Sequence, residues 1–144
     1  MTRFISRIAL PVLLIGLVVL FLRRSVLSLS PPVMIAQIGA LALSVWARKT
    51  FRRGQFRVTE EPADGGLMEE GPYRHIRHPM YAAALLFVWA SILGHWAPAN
   101  AAIGLVITAV VAVRIASEER VLRQRLPGYP EYCRHTKRLI PYLL

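Results

Sequence analysis

The chain contains one cysteine, Cys133. That excludes an internal disulfide and any cysteine-rich metal site. The four histidines, His75, His78, His95 and His135, form no tight cluster. His75 and His78 are three apart, but Pro79 interrupts any helix holding both, so no metal is expected. Glycine loops that cradle phosphates or dinucleotides are missing, as is a nucleophile elbow with a Ser/His/Asp set. Acidic residues are scarce, 8 against 18 Lys+Arg, for a formal charge of +10. The bases flank apolar runs and make no stripe with interleaved aromatics, so nucleic acid is not the expected partner. Anionic lipid headgroups are the natural counterions.

Apolar residues are abundant instead: 55% of 144 residues, gathered in blocks. The length suits one domain. Four segments stand out, from about Ile8 to Leu22, Pro32 to Ala47, Pro79 to His95 and Pro98 to Ser117. The first is short of the roughly 20 residues that cross a bilayer, and Arg7 and Arg23 can snorkel to extend it. It reads as an uncleaved anchor, because Phe21-Leu22-Arg23-Arg24 follows where a cleavage site would need small residues. Pro11 is expected in its first turn, where a missing N–H does little harm. Gly94-His95-Trp96-Ala97-Pro98 is too short for anything but a tight turn, so segments three and four form an antiparallel hairpin. Their alanines, among them Ala83, Ala90, Ala102, Ala109 and Ala112, allow close helix contact in lipid. The expectation is an all-α membrane bundle of about four transmembrane helices. Residues 1–64 supply two helices, and 65–144 a catalytic half with the hairpin and the C-terminal tail.

Basic residues number two before segment one, two in the first loop, seven in the long second loop, none in the 94–98 turn and seven from Arg114, near the end of segment four, through the C-terminal region. The positive-inside rule then gives a multi-pass protein of the cell membrane with both termini cytoplasmic. Loop 54–78 and the tail fall on the same side and are expected to build one cytoplasmic site.

Two elements there carry chemistry. Pro79 fits a first helical position and needs no N–H partner. Arg77 adds a planar fork of donors beside that helix N-terminus, a combination suited to a carboxylate or phosphate. Tyr81 lies a turn further in. Glu118 and Glu119 point about 100° apart on a helix, so one can face the site while the other pairs outward. Arg114 and Arg123, each four residues away, are their candidate partners.

These residues, with Gly71-Pro72-Tyr73, Leu122, Tyr129, Tyr132 and Arg138-Leu139-Ile140-Pro141 in the same order, resemble the superfamily of isoprenylcysteine carboxyl methyltransferases and phospholipid methyltransferases. The likeness covers roughly residues 65–142. It implies methyl transfer from S-adenosylmethionine to a lipophilic acceptor that enters from the bilayer. By matching position, Tyr73, Arg77, His78, Pro79, Tyr81, Glu118 and Glu119 would line the cofactor pocket, and Tyr129, Tyr132 and Arg138 would belong to a closing tail. Arg138, His78 and Glu119 are the expected catalytic groups: Arg138 to hold a carboxylate acceptor, His78 or a glutamate to take a proton from an amine. Ala83 departs from the glycine the family often has two residues after the tyrosine.

Two other classes stay open on sequence grounds. Membrane sterol reductases that use NADPH share a similar C-terminal pattern, though this chain is short for a nicotinamide site. A small four-helix exporter would need an ionisable group deep in the membrane, and segments one to three have none in their interiors.

Overall fold

The computed structural model describes residues 2–50, 67 and 69–140, without the side chains of 2–10 and 13. Residues 54–66 of the long loop and Pro141 therefore lie outside the described residues. The protein is helical: α1 (Thr2–Leu22), α2 (Pro31–Thr50), α3 (Pro79–Gly94), α4 (Pro98–Arg125) and α5 (Tyr129–His135), with a 3-10 turn over Gly71–Arg74.

Three helices start at a proline, as the local chemistry of a first turn favours. Three run longer than the apolar blocks suggested, α2 by a few residues, 31–50 against 32–47. α1 begins at Thr2, which puts Pro11 in the helix interior and not in the first turn. α4 continues eight residues past Ser117. Hydropathy drops there but helix propensity does not: Glu118 to Arg125 holds no glycine or proline. It stops because Pro127 forces Leu126 into an extended conformation, φ −116° and ψ 106°. Arg123 and Arg125 in the last turn complement the helix dipole.

α3 and α4 pack as an antiparallel hairpin. At its closed end the Asn100 amide donates to the His95 carbonyl at 2.8 Å. Midway, Trp89 Nε1 donates to Thr108 Oγ1 at 3.0 Å. At Gly104 the two helices come close enough that a Cβ would stand 2.5 Å from Ile92. Of the α4 alanines expected to make that contact, Ala101 is half-buried, and Ala102, Ala109 and Ala112 are exposed. Ala83 and Ala90 of α3 are buried.

α2 packs along α3 and α1 along α4. The core joins Leu20 of α1, Val88 and Ile92 of α3, and Ile107, Val111 and Ile115 of α4, with Leu139 of the tail against it. The outer surface is apolar as well, through Ile15, Val18 and Phe21, Ile35, Ile38 and Leu41, and Leu105 and Val106. A water-soluble domain rarely shows so much contiguous apolar surface. Among the described residues α4 is the helix long and apolar enough to cross a membrane; α3 is apolar but has 16 residues.

Candidate functional site

The site lies where the open end of the hairpin meets the tail. The Gly71–Arg74 turn sits against the end of α2, and Gly71, at φ +56°, comes so close that a Cβ would meet Thr50 Oγ1 at 2.5 Å. From there the chain leads through Ile76 into Pro79. Backbone bonds fasten this run to the tail: Lys137 N–H to His75 O at 3.0 Å, Arg77 N–H to Lys137 O at 2.7 Å and His78 N–H to Arg138 O at 3.0 Å. Residues 60 positions apart thus share one short ladder, with Ile76 and Lys137 in a parallel bridge.

Glu119 is the centre of the arrangement and is 3% exposed. Arg77 Nε donates to its Oε1 at 2.9 Å and Arg138 Nε to its Oε2 at 3.2 Å. His78 Nε2 stands 3.5 Å from Oε1, an ion-pair approach at the outer limit of a hydrogen bond. The other side of Arg77 is bonded to the Thr136 carbonyl and reaches the Cys133 carbonyl at 3.3 Å. Glu119 sits beyond the apolar part of α4. Burial disfavours its charged form, but the donors that His78 and Arg77 offer it and the charges of Arg77 and Arg138 outweigh that and hold the carboxyl below the usual range.

Glu118, one residue earlier, points elsewhere. The Tyr81 hydroxyl donates to its Oε2 at 3.1 Å and accepts from Arg114 Nε. Tyr132 donates to the Tyr73 carbonyl at 2.6 Å, tying α5 to the 3-10 turn. Burial pushes the phenols of Tyr73, Tyr129 and Tyr132 well above their ordinary range, so all three stay protonated. Two buried polar atoms lack a hydrogen bond here: His78 Nε2 and the Tyr129 hydroxyl. Such atoms are costly when unpartnered.

The structure thus gathers Arg77, His78, Glu119 and Arg138 into one cluster, with Pro79 buried beneath it and Tyr129 and Tyr132 packed ring to ring at 5.9 Å alongside. Tyr81 and Glu118 form a neighbouring pair. The expected Glu119–Arg123 pairing gives way to a different one: Arg123 lies 3.9 Å from Cys133 Sγ. Helix spacing allows i, i+4 partners, but cations arriving from α3 and the tail take the carboxylate first. Thr136, whose hydroxyl caps the Tyr132 carbonyl at 2.6 Å, was not foreseen, and Arg114 was read only as a helix partner. An arginine inside an apolar run was the signal for the latter. Among the described residues no three of His, Cys, Asp and Glu stand close enough to hold a metal ion.

An apolar helical hairpin with a knot of buried charge at its open end marks a site for binding or chemistry on a membrane-associated helical protein. The sequence model of the phospholipid methyltransferase family matches residues 32–127. That is two thirds of the chain, and the protein belongs to this family, within the superfamily it shares with isoprenylcysteine carboxyl methyltransferases. The match takes in α2, α3 and α4, and ends before Tyr129, Tyr132 and Arg138. No curated protein and no solved structure matches the chain.

Proposed function

We propose that the protein is an integral membrane methyltransferase that moves a methyl group from S-adenosylmethionine to a lipophilic acceptor, an isoprenylcysteine carboxylate or a phospholipid amine. In this reading α1 to α4 all span the bilayer, both termini and the site are cytoplasmic, and the tail closes over the cofactor. Family membership supports the reaction class. The distribution of Lys and Arg supports the orientation.

The observation that carries the reading is the pair of buried atoms without a hydrogen bond, His78 Nε2, 3.5 Å from Glu119, and the Tyr129 hydroxyl, beside an anchored carboxylate and guanidinium. A small, multiply polar ligand seated there would satisfy them. The cofactor fits that requirement, with a carboxylate for Arg77, hydroxyls and an ammonium for Glu119 and Tyr129, and tail and turn residues Tyr132 and Tyr73 enclosing it over Pro79. When bound, it supplies a methyl group on a sulfonium, already activated toward a nucleophile. The protein's part is then alignment and exclusion of water. For an amine acceptor, His78 takes the ammonium proton and frees the nitrogen lone pair that forms the new C–N bond. For a carboxylate acceptor no base is needed, and Arg138, half-exposed at the rim, holds the anion.

Thermal unfolding of the detergent-purified protein with S-adenosylhomocysteine, and in parallel with NADPH, tests this. A ligand at 100 times its Kd stabilises by about 2.7 kcal/mol. The expected result is a shift with the first ligand, lost in Arg77→Ala. A shift with NADPH alone would move the assignment to a reductase. No shift with either, in detergent and again in a bilayer, would refute the pocket.

A further inference from the structure

The end of the bundle away from the Glu119 cluster carries two cations and no acidic side chain. Arg23 and Arg24 follow α1 beside the turn that joins α3 to α4, on the side that the proposed orientation puts outside. None of the chain's eight acidic residues lies before Glu60 or between Glu70 and Glu118. The loop after α1 and the turn before α4 therefore offer these arginines no carboxylate. Their counter-charge has to come from the surroundings.

Both arginines are held in place, each in its own way. Arg23 Nε donates to Asn100 Oδ1 at 2.8 Å. Asn100 is 2% exposed, and its amide also donates to Ser25 Oγ at 3.1 Å and to the His95 carbonyl at 2.8 Å. This buried amide is a rigid mount for an exposed guanidinium, whose terminal nitrogens have no partner among the described residues. Arg24 stands where a helix commonly ends in a left-handed residue. Its N–H bonds the Phe21 carbonyl, the Ser25 N–H bonds the Leu20 carbonyl, and φ is +54°. Glycine is usual there, because a side chain is strained. Among the described residues Arg24 is the non-glycine residue with a positive φ. A side chain kept at such a position points to a use for it. Trp96, exposed in the neighbouring turn, sets this corner at the level of lipid headgroups.

We propose that Arg23 and Arg24 bind the phosphodiester of an anionic phospholipid in the outer leaflet, and that this lipid fastens the end of α1 to the start of α4. The planar fork of arginine suits a phosphate. The missing carboxylate sets the selectivity. A choline or ethanolamine ammonium would meet two cations and no acid, whereas phosphatidylglycerol has no cation to be repelled. This rests on the membrane-spanning part of the reading above and not on the reaction.

The test uses the full chain, delipidated in a neutral detergent and titrated with dioleoylphosphatidylglycerol or dioleoylphosphatidylcholine. The readouts are thermal unfolding and lipid retained in native mass spectra. Wild type is compared with Arg23→Gln, Arg24→Gln, Arg24→Gly and Lys49→Gln, the last an exposed cation at the other face. Wild type should gain more Tm from phosphatidylglycerol than from phosphatidylcholine. Each arginine variant should lose most of that difference, bind phosphatidylglycerol about fivefold more weakly and retain one such lipid fewer. Lys49→Gln should behave as wild type. Arg24→Gly should also raise the lipid-free Tm, because glycine relieves the left-handed backbone. One substitution that stabilises the bare protein and weakens lipid binding cannot be a folding defect. Equal shifts with the two lipids overturn the proposal. So does an equal loss in Lys49→Gln, which would make the effect one of overall charge, or the full shift with inorganic phosphate at matched ionic strength, which would make the ligand a free anion. A chain that stays folded and monodisperse without detergent sinks the membrane reading and this proposal with it.

Discussion

Tyr129→Phe separates a site residue from a packing residue by the sign of its effect. Tyr129 is 1% exposed, and its hydroxyl is buried without a hydrogen bond. Its ring packs on Tyr132 with centroids 5.9 Å apart, a contact phenylalanine keeps. Leaving a buried polar group unsatisfied costs about 1–3 kcal/mol. Removing the hydroxyl should therefore stabilise the ligand-free protein by about 1 kcal/mol, taking the low end of that range. For a chain of this size that raises Tm by about 3 °C. The same change deletes a hydrogen bond to any ligand that fills the gap, about 1 kcal/mol or roughly fivefold in Kd. The assay is thermal unfolding of wild type and variant, each with and without saturating and sub-saturating S-adenosylhomocysteine. The expected result is a higher ligand-free Tm together with a smaller ligand-induced shift at fixed sub-saturating concentration. A lower ligand-free Tm would show that the hydroxyl has a partner in the folded protein. An unchanged ligand response would remove Tyr129 from the site.

Tyr132→Phe should do the opposite, lowering stability by about 1–2 kcal/mol, because it strands the buried Tyr73 carbonyl that now accepts at 2.6 Å; the denaturation midpoint checks it. Glu119→Gln removes the counter-charge of nearly buried Arg77 and should cost about 3 kcal/mol, the low end for breaking a buried pair, since the Thr136 and Cys133 carbonyls still cover the guanidinium; amide exchange at residues 136–140 should speed up with it. Gly71→Ala forces a side chain into the left-handed region against Thr50 and should cost at least about 1–2 kcal/mol in thermal unfolding. In acid, a carboxyl whose folded pKa lies below its ordinary 4.5 contributes stability above that value and loses it as pH falls through the folded one. Arg138→Met weakens the hold on Glu119, so the acid unfolding midpoint should move to higher pH; an unmoved midpoint would mean that Arg77 and His78 suffice.

Much of the local structure was legible along the chain. Pro79 and Pro98 announced helix starts, the five residues from Gly94 to Pro98 dictated a hairpin, and the ordered run from Gly71 to Arg138 pointed to the family. Helix length was less legible. Hydropathy marks where a helix can meet lipid, whereas propensity marks how far it can run, and the two part company at Ser117 in α4.

What the sequence determined by itself was what nearest neighbours decide: an all-helical chain, apolar blocks with basic flanks, and a set of polar residues collected at helix ends. Only the tertiary structure decided which of two adjacent glutamates meets which partner. α3 and α4 are apolar around most of their circumference, so no amphipathic stripe records how each is turned about its axis. That rotation sends Glu119 to Arg77 and to Arg138 of the tail, and Glu118 to Tyr81 and the buried Arg114. The partners come from segments up to 42 residues away, and a periodicity of 3.6 residues carries no information over that distance.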